Sequence, residues 1–280
     1  MILIADSGSS KTDWVLLGSQ GQTETFETPG INPFFQGSRE IESLLVNTFP
    51  TRARASVKRV FFYGAGCIKG KTDKVVIDAL QQAFQGPAIE VADDMLGAAR
   101  ALLGNHEGIA CILGTGTNSC YYNGHGIVDK VPPLGFILGD EGSGAYMGKM
   151  LLNSYFKRAF PAGLEEKIRC EFKLELSEAL NRVYREEYPS RYLASFSHFI
   201  AENQKHPAIT NLIKRSLTDF FEKNIEHYAN YNSQEISFVG SIAYYYRNFI
   251  EEIARKKLLI IGKILPKPIE ALKEYHIKNL

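Results

Sequence analysis

The chain carries one three-part pattern twice: a short apolar run, a turn of glycine and hydroxyl residues, and a second β-prone run. The first copy, residues 2–17, reads ILIADSGSSKTDWVLL, and the second, residues 108–122, reads GIACILGTGTNSCYY. Aromatic and branched residues after each turn favour strands, so each copy predicts a hairpin. Walker A and dinucleotide loops would open a helix instead. Two such hairpins, with strand and helix patterns alternating between them, predict a duplicated α/β fold whose halves face one ligand.

Both turns have the chemistry of phosphate-binding loops. Small residues let backbone N–H groups approach an anion, and Ser and Thr hydroxyls add donors. Lys11 adds positive charge to the first turn, and Asp6 is placed to anchor a hydrated Mg²⁺ beside the phosphates. Taken alone, the first turn is explained equally well as a plain hairpin with a polar tip. The recurrence at Gly114–Thr117 favours phosphate binding.

Composition limits the class of protein. At 280 residues the chain can form two domains of ordinary size, and a net charge of +1 provides no overall field that would attract nucleic acid or an anionic membrane. The start of the sequence lacks the features of a signal peptide, and no apolar run is long enough to cross a bilayer, so we expect a cytoplasmic protein. The four cysteines show no metal-binding spacing, and Cys111 and Cys120, which could face each other across a hairpin, are predicted to be thiols packed in the core.

Two adjacent acids follow a predicted strand and precede a predicted helix. The strand covers residues 88–91, the acids are Asp93 and Asp94, and the helix covers residues 95–103. One aspartate is expected to cap the helix, because its carboxylate can accept hydrogen bonds from the unpaired backbone N–H groups there. The other can project into the crevice beyond the strand ends, where α/β proteins bind ligands.

Three further segments carry candidate ligand contacts. Asn32 lies in PGINP, where its amide either contacts a polar ligand or forms an Asx-turn. Asp140 and Glu141 lie between glycines, where carboxylates can accept hydrogen bonds from hydroxyls. Gly240 and Ser241 form a turn between a strand and a helix, against which a flat ring or a ribose can lie.

The second half of the chain is rich in helical periodicity. From residue 146 to about residue 230 the apolar residues recur at i, i+3 and i+4, which predicts helices whose aromatic faces form the core or a homodimer interface. We predict an N-terminal domain at residues 1–104 and a C-terminal domain with a helical insertion at residues 105–280. A final helix, about residues 267–280, is expected to pack back on the N-terminal domain.

Five motifs in sequence resemble those of one protein family. The segments are, in order, ADSGSSKTD, VADD, ILGTGTNS, LGDEGSGA and FVGSIA. This order resembles the BadF/BadG/BcrA/BcrD ATPase family of the actin/hexokinase fold group, and within it the N-acetylglucosamine kinase branch. The resemblance implies two ribonuclease-H-like domains with an interdomain cleft, ATP and Mg²⁺ as cofactors, and a small sugar as substrate.

The resemblance also implies roles for individual residues. Asp94 matches the catalytic carboxylate, which would accept the proton of the sugar's 6-hydroxyl, although Asp93 stays open as the base. Asp6 matches the metal-side acid. Asn32, Asp94, Gly135 and Asp140 match substrate contacts. The cofactor-binding residues would be Asp6, Gly8, Ser9, Ser10, Lys11, Thr12, Gly114, Thr115, Gly116, Thr117, Gly240 and Ser241.

One departure from the family pattern and two alternatives stay open. Where a relative carries tryptophan before the Gly-x-x-x-Gly-Asp loop, this chain has Leu134, so glucosamine, N-acetylmuramic acid and N-acetylglucosamine are all candidate substrates. The family's other branch activates 2-hydroxyacyl-CoA dehydratases through a cluster bridged between subunits, which requires cysteines at a spacing not found here. A non-enzymatic sugar sensor is the second alternative; the intact Asp94 argues against it, and no helix-turn-helix precedes Met1.

Overall fold

The chain divides into two compact units. The computed structural model describes residues 1–8, 10–18 and 21–279. Unit 1 comprises Met1–His106, Tyr122–Ile127 and Lys267–Leu280, and unit 2 comprises Glu107–Tyr121 and Val128–Pro266. Within the described residues, no helix combines the length and the apolar character that a membrane-spanning helix needs.

Unit 1 is built on a mixed five-stranded sheet in the order β3-β2-β1-β4-β5. Strand β1 runs antiparallel to β2 and parallel to β4, and Asp6 of β1 pairs with Asp13 of β2 and with Tyr63 of β4. The elements are β1 (Ile2–Ser7), β2 (Lys11–Leu17), β3 (Thr23–Pro29), α1 (Ser38–Thr48), α2 (Thr51–Ser56), β4 (Arg59–Gly64), α3 (Asp73–Ala83), β5 (Ala88–Ala92) and α4 (Asp94–Leu103).

Unit 2 contains a second five-stranded sheet, in the order β10-β9-β6-β7-β8. Its elements are β6 (Glu107–Leu113), β7 (Thr117–Asn123), β8 (Ile127–Asp129), α5 (Gly135–Leu138), α6 (Gly144–Phe156), α7 (Ala162–Phe172), α8 (Leu176–Tyr184), α9 (Pro189–Ser195), α10 (Ser197–Glu202), α11 (Pro207–Lys223), a short 3₁₀ helix (Ile225–His227), β9 (Glu235–Val239), α12 (Ser241–Tyr245), α13 (Arg247–Lys256) and β10 (Ile260–Leu265). The last helix, α14 (Ile269–Lys278), lies in unit 1.

Both faces of the unit 1 sheet are buried, which is why its central strands are almost continuously apolar. Trp14 and Phe62 pack on one face with residues of α1 and α3. Ile4, Phe61 and Tyr63 pack on the other face with residues of α4 and α14. Side chains alternate along a strand, so Asp6 shares the second face with Ile4, two residues away. Asp6, near the end of β1, places the candidate site of unit 1 on this second face.

The predicted α/β architecture is confirmed, with two five-stranded sheets. The predicted helix after Asp93 and Asp94 is α4, and Gly104 ends it with a φ of 62°. The apolar residues of Leu258–Leu265 predict a last strand, but β10 begins only at Ile260. Leu258 has a φ of 57°, a left-handed conformation that an extended strand cannot accommodate.

Candidate active site

The opening hairpin forms a tight turn between β1 and β2. The N–H of Gly8 donates to the carbonyl of Lys11 at 3.0 Å. Thr12 is fully buried, and its hydroxyl lies 2.8 Å from that of Ser7 and donates to the carbonyl of Pro29 at 3.3 Å. The side chain of Thr12 therefore stabilises the hairpin. Gly8 and Ser10 are exposed, whereas the predicted contact Ser9 lies outside the described residues.

Lys11, predicted to contact phosphate, is paired with two carboxylates. Its Nζ lies 2.6 Å from Glu27 Oε2 and 3.2 Å from Asp13 Oδ1. Lys267, which precedes α14, approaches the same Asp13 carboxylate at 3.2 Å. Two lysines thus flank Asp13, directly across the sheet from Asp6. This neutralises only part of the negative charge at the end of the hairpin.

Asp6 is partly buried and lies next to other acids, as a cation-binding carboxylate would. Burial raises the pKa of Asp6 to about 7, and the nearby Asp94 and Asp13 carboxylates add to the effect against Lys267 and Lys11. The described residues contain no group of three or more His, Cys, Asp or Glu side chains that could hold a metal ion. A hydrated cation fits this donor set, because Mg²⁺ keeps several waters and binds through one or two carboxylates.

The two adjacent acids at the start of α4 have different positions. Asp93 is the N-cap, and its Oδ1 accepts a hydrogen bond from the N–H of Leu96 at 2.9 Å. Asp94 is the first residue of the helix, where backbone N–H groups favour a negative charge. Asp94 also lies close enough to Asp6 to raise its pKa. The structure thus gives the capping role to Asp93.

Asn32 forms the Asx-turn that the sequence allowed. Its Oδ1 accepts a hydrogen bond from the N–H of Phe34 at 3.0 Å. Gly66, with a φ of 81°, makes room for this turn, because a Cβ there would lie 2.6 Å from Asn32 Oδ1. The turn occupies the amide oxygen and leaves Nδ2 as the atom with which Asn32 can donate to a ligand.

In unit 2 the loop between β6 and β7 is fixed against the start of α6. Gly144 and Ala145 donate backbone hydrogen bonds to the carbonyls of Gly114 and Thr115, at 2.9 and 3.1 Å. The carbonyls of the loop therefore point towards α6, as the second predicted phosphate loop requires if its N–H groups are to face a ligand.

Asp140 lies against this loop. Its Oδ1 accepts a hydrogen bond from the N–H of Thr117 at 3.2 Å, and a Cβ on Gly116 would lie 3.0 Å from its Oδ2. Asp140 is 7% exposed, and burial raises its pKa against the effect of that hydrogen bond. Gly135 begins α5, and the preceding Leu134 has a φ of 60° and is largely exposed. The predicted sugar contacts Asp140 and Gly135 thus flank α5.

A pocket of about 570 Å³ opens beside the same loop. Ser241 lines the pocket. The preceding Gly240 has a φ of 120° and packs closely on β6, because a Cβ at Gly240 would lie 2.2 Å from the carbonyl oxygen of Leu113. Ser197 Oγ is buried without a hydrogen-bond partner among the described residues. The pocket is lined by Gly114, Thr115, Gly144, Ala194, Ser197, His198, Ala201, Glu202, Ser241, Ile242, Tyr245 and Tyr246. Its size suits a nucleoside.

Solved structures resemble this chain over nearly its whole length. No protein-family model matches the chain, and no curated protein matches it. A putative N-acetylglucosamine kinase from Porphyromonas gingivalis has 43% identity and a TM-score of 0.94, over 100% of this chain and 99% of that one. The chain belongs to the same family as that protein.

Two structures of lower identity share the fold. A putative N-acetylglucosamine kinase from Chromobacterium violaceum has 14% identity and a TM-score of 0.75, covering 98% of each chain. A non-polymerising mutant of MamK bound to AMPPNP has 13% identity and a TM-score of 0.51, covering 99% of this chain and 98% of that one. The predicted actin/hexokinase type of fold is therefore confirmed.

Sequence reasoning missed two parts of the site. Lys267 is 254 residues from Asp13, and nothing in its local sequence indicates the contact. The pocket residues Ser197, His198 and Glu202 belong to a helical region whose periodicity predicts core packing or a subunit interface, not a ligand site. Unpartnered polar atoms such as Ser197 Oγ become visible only once the fold is known.

Proposed function

We propose that this protein is an ATP- and Mg²⁺-dependent kinase that phosphorylates the 6-hydroxyl of an amino sugar, with N-acetylglucosamine as the first substrate to test. The carrying observation is the placement of acids beside a glycine-containing hairpin: Asp6 near the end of β1 pairs across the sheet with Asp13, and Asp94 at the start of α4 lies close enough to raise the pKa of Asp6. The 43% identity to a putative N-acetylglucosamine kinase supports the same reaction class. We further propose membership of the BadF/BadG/BcrA/BcrD ATPase family.

Unit 1 would hold the cation and part of the phosphate chain. Asp6 would bind hydrated Mg²⁺, which supplies positive charge to the phosphate oxygens. The N–H of Gly8 is already donated to the carbonyl of Lys11, so the proposed donor of this turn is the hydroxyl of exposed Ser10. Lys11 pairs with Glu27 and Asp13, and its ammonium group has a third N–H that could donate to phosphate from a side chain that is 40% exposed.

Asp94 would act as the general base. Its carboxylate accepts the proton of the sugar's 6-hydroxyl as that oxygen attacks the γ-phosphorus. The bond from phosphorus to the β–γ bridging oxygen breaks, and ADP leaves with this oxygen. In phosphoryl transfer, positioning and charge neutralisation supply most of the catalysis, so the placement of Asp94 matters as much as its basicity.

Unit 2 would bind the nucleoside and further phosphate oxygens. Backbone N–H groups of Thr115 and Gly116 are the proposed phosphate donors, because those of Gly114 and Thr117 already donate to the Gly116 carbonyl and to Asp140 Oδ1. The pocket beside Ser241 is the proposed nucleoside site. Asp140 Oδ1 is occupied by Thr117, so Oδ2 is the proposed acceptor for a sugar hydroxyl. In unit 1, Asn32 Nδ2 is the proposed donor to the sugar.

The cysteines do not favour the dehydratase-activator alternative. Cys67, Cys111 and Cys120 are buried, and only Cys170 is exposed among the four. Burial, with Asp94 as the next contributor, raises the pKa of Cys67 to about 12, which opposes the thiolate form that iron–sulfur ligation needs. A cluster bridged between two subunits requires accessible cysteines on each.

An ADP-release assay over a panel of sugars tests the proposal. The panel contains N-acetylglucosamine, glucosamine, N-acetylmuramic acid and glucose, with mass spectrometry of the products. We expect one amino sugar to stimulate ADP release and to gain one phosphoryl group. The kinase proposal is overturned if no sugar does so. Sugar binding without turnover would support the sensor, and iron in anaerobically purified protein would support the activator.

A further inference from the structure

A chain of hydrogen bonds joins four elements of unit 1. Arg100 Nη1 donates to Glu90 Oε1 at 2.5 Å and to the hydroxyl oxygen of Tyr63 at 2.6 Å. The Tyr63 hydroxyl in turn lies 2.9 Å from His276 Nε2. We call Glu90, Arg100, Tyr63 and His276 the Tyr63 relay. It connects β5, α4, β4 and α14, and its ends are 186 residues apart in sequence.

The donors available fix the direction of one hydrogen bond in the relay. A guanidinium group has only donors, so the Tyr63 oxygen accepts from Arg100. We assign the Tyr63 O–H as the donor to His276 Nε2, an assignment that goes with a neutral imidazole protonated on Nδ1. Burial lowers the pKa of His276 to about 4, and Arg100 and Arg59 act in the same direction against Glu90. The ring also stacks on Phe61, with 3.7 Å between ring centroids.

The relay lies directly beneath the candidate catalytic residues of unit 1. Tyr63 is fully buried, and in the sheet it pairs with Asp6. Its ring also contacts α4 at Gly97, where an added Cβ would lie 2.8 Å from the ring. Gly97 is three residues after Asp94 and lies on nearly the same face of that helix. Tyr63 therefore lies beside Asp6 in the sheet, and its side chain packs on the helix that carries Asp94.

We propose that the Tyr63 relay positions Asp94 relative to Asp6, with Tyr63 and His276 as positioning residues. The Tyr63 hydroxyl is the shared point at which Arg100 of α4 and His276 of α14 are held to β4. Losing it frees α4 to shift, which moves Asp94 without changing any ligand contact of the hairpin. This inference rests on the proposed kinase function, since it assigns the relay to that reaction.

The Tyr63→Phe variant tests the proposal, because it keeps the ring against Gly97 and removes only the hydroxyl. We expect kcat to fall about 10-fold, while KM for ATP and for the sugar changes less than about 2-fold. Tyr228→Phe is the matched control. The Tyr228 hydroxyl is also buried and has two partners, Ser119 Oγ at 2.8 Å and the N–H of Val131 at 3.0 Å. We expect the control to lower Tm and to leave kcat unchanged.

A second variant makes the test independent of any one substitution. His276→Phe preserves an aromatic ring against Phe61 but removes the acceptor for Tyr63. We expect a similar loss of kcat, and we expect the double variant to lose little more than either single one, because both break the same relay.

The outcomes separate the two proposals. If the wild-type protein phosphorylates no sugar, the kinase function fails. If the wild type is active and Tyr63→Phe retains the kcat of Tyr228→Phe, or if the losses in the double variant simply multiply, the relay proposal is overturned.

Discussion

Asp93 Oδ1 accepts a hydrogen bond from the N–H of Leu96 at 2.9 Å, and this cap separates the roles of two adjacent carboxylates. Serine is an equally good N-cap, so Asp93→Ser is expected to keep the helix and at least about half of the wild-type kcat. Asp94→Asn keeps the shape of the side chain and removes the proton acceptor. We expect it to lower kcat about 100-fold or more.

The measurement is kcat and KM of both variants under saturating ATP, with circular dichroism as the folding control. Full activity in Asp94→Asn together with inactive, folded Asp93→Ser would reverse the assignment and make Asp93 the base.

The raised pKa of Asp6 predicts that this residue destabilises the metal-free protein. Between about pH 4 and pH 7 the folded state retains a proton on Asp6 that the unfolded state has released, so stability falls as pH rises through this window. Above pH 7 Asp6 is ionised in the folded state as well, and its full destabilising effect is present. Asp6→Asn removes it, and we expect the variant to be more stable at pH 8 in EDTA by on the order of 4 kcal/mol at most.

Added Mg²⁺ is expected to reverse the order of stability of the wild type and Asp6→Asn. The wild type is expected to gain Tm with added Mg²⁺ at pH 8, because the cation binds the ionised carboxylate of the folded state, whereas Asp6→Asn should gain none. Urea unfolding at pH 4 and pH 8, with and without Mg²⁺, measures both effects. A variant no more stable than wild type at pH 8 in EDTA contradicts the prediction.

The sequence predicted the parts of the site that are local in the chain. The hairpin turns, the helix cap at Asp93 or Asp94 and the Gly240 turn each have a signature within about ten residues, because turn and cap chemistry is set by neighbours. The Tyr63–His276 contact spans 213 residues, and both side chains read as ordinary core positions. Such pairs are fixed by tertiary packing, which a single sequence does not display.

Gly116 of the second proposed phosphate loop lies against Asp140, the proposed sugar contact. A Cβ at this position would lie 3.0 Å from Asp140 Oδ2, so Gly116→Ala is expected to displace that carboxylate and to raise KM for the sugar several-fold. At Gly114 an added Cβ meets nothing within 4 Å. Steady-state kinetics of the two alanine variants compare them directly. An equal rise in sugar KM for both would show that crowding of Asp140 is not the cause.

Because the pKa of His276 is lowered, we expect its contribution to the stability of the folded protein to be lost in acid. In the unfolded chain the imidazole takes up a proton near pH 6.5, whereas in the folded state it does so only near pH 4. Between these values the unfolded state binds more protons, so the contribution of His276 to stability is fully present above pH 6.5 and is lost as pH falls towards 4. The contribution of His276 is on the order of 3 kcal/mol at most.

His276→Phe should therefore show a smaller loss of unfolding free energy between pH 6.5 and pH 4 than the wild type, in urea titrations at matched ionic strength. Asp6 acts with the opposite sign in part of this window but is present in both proteins, so the difference between them isolates His276. Parallel pH curves for the two proteins would show that the docked imidazole titrates normally.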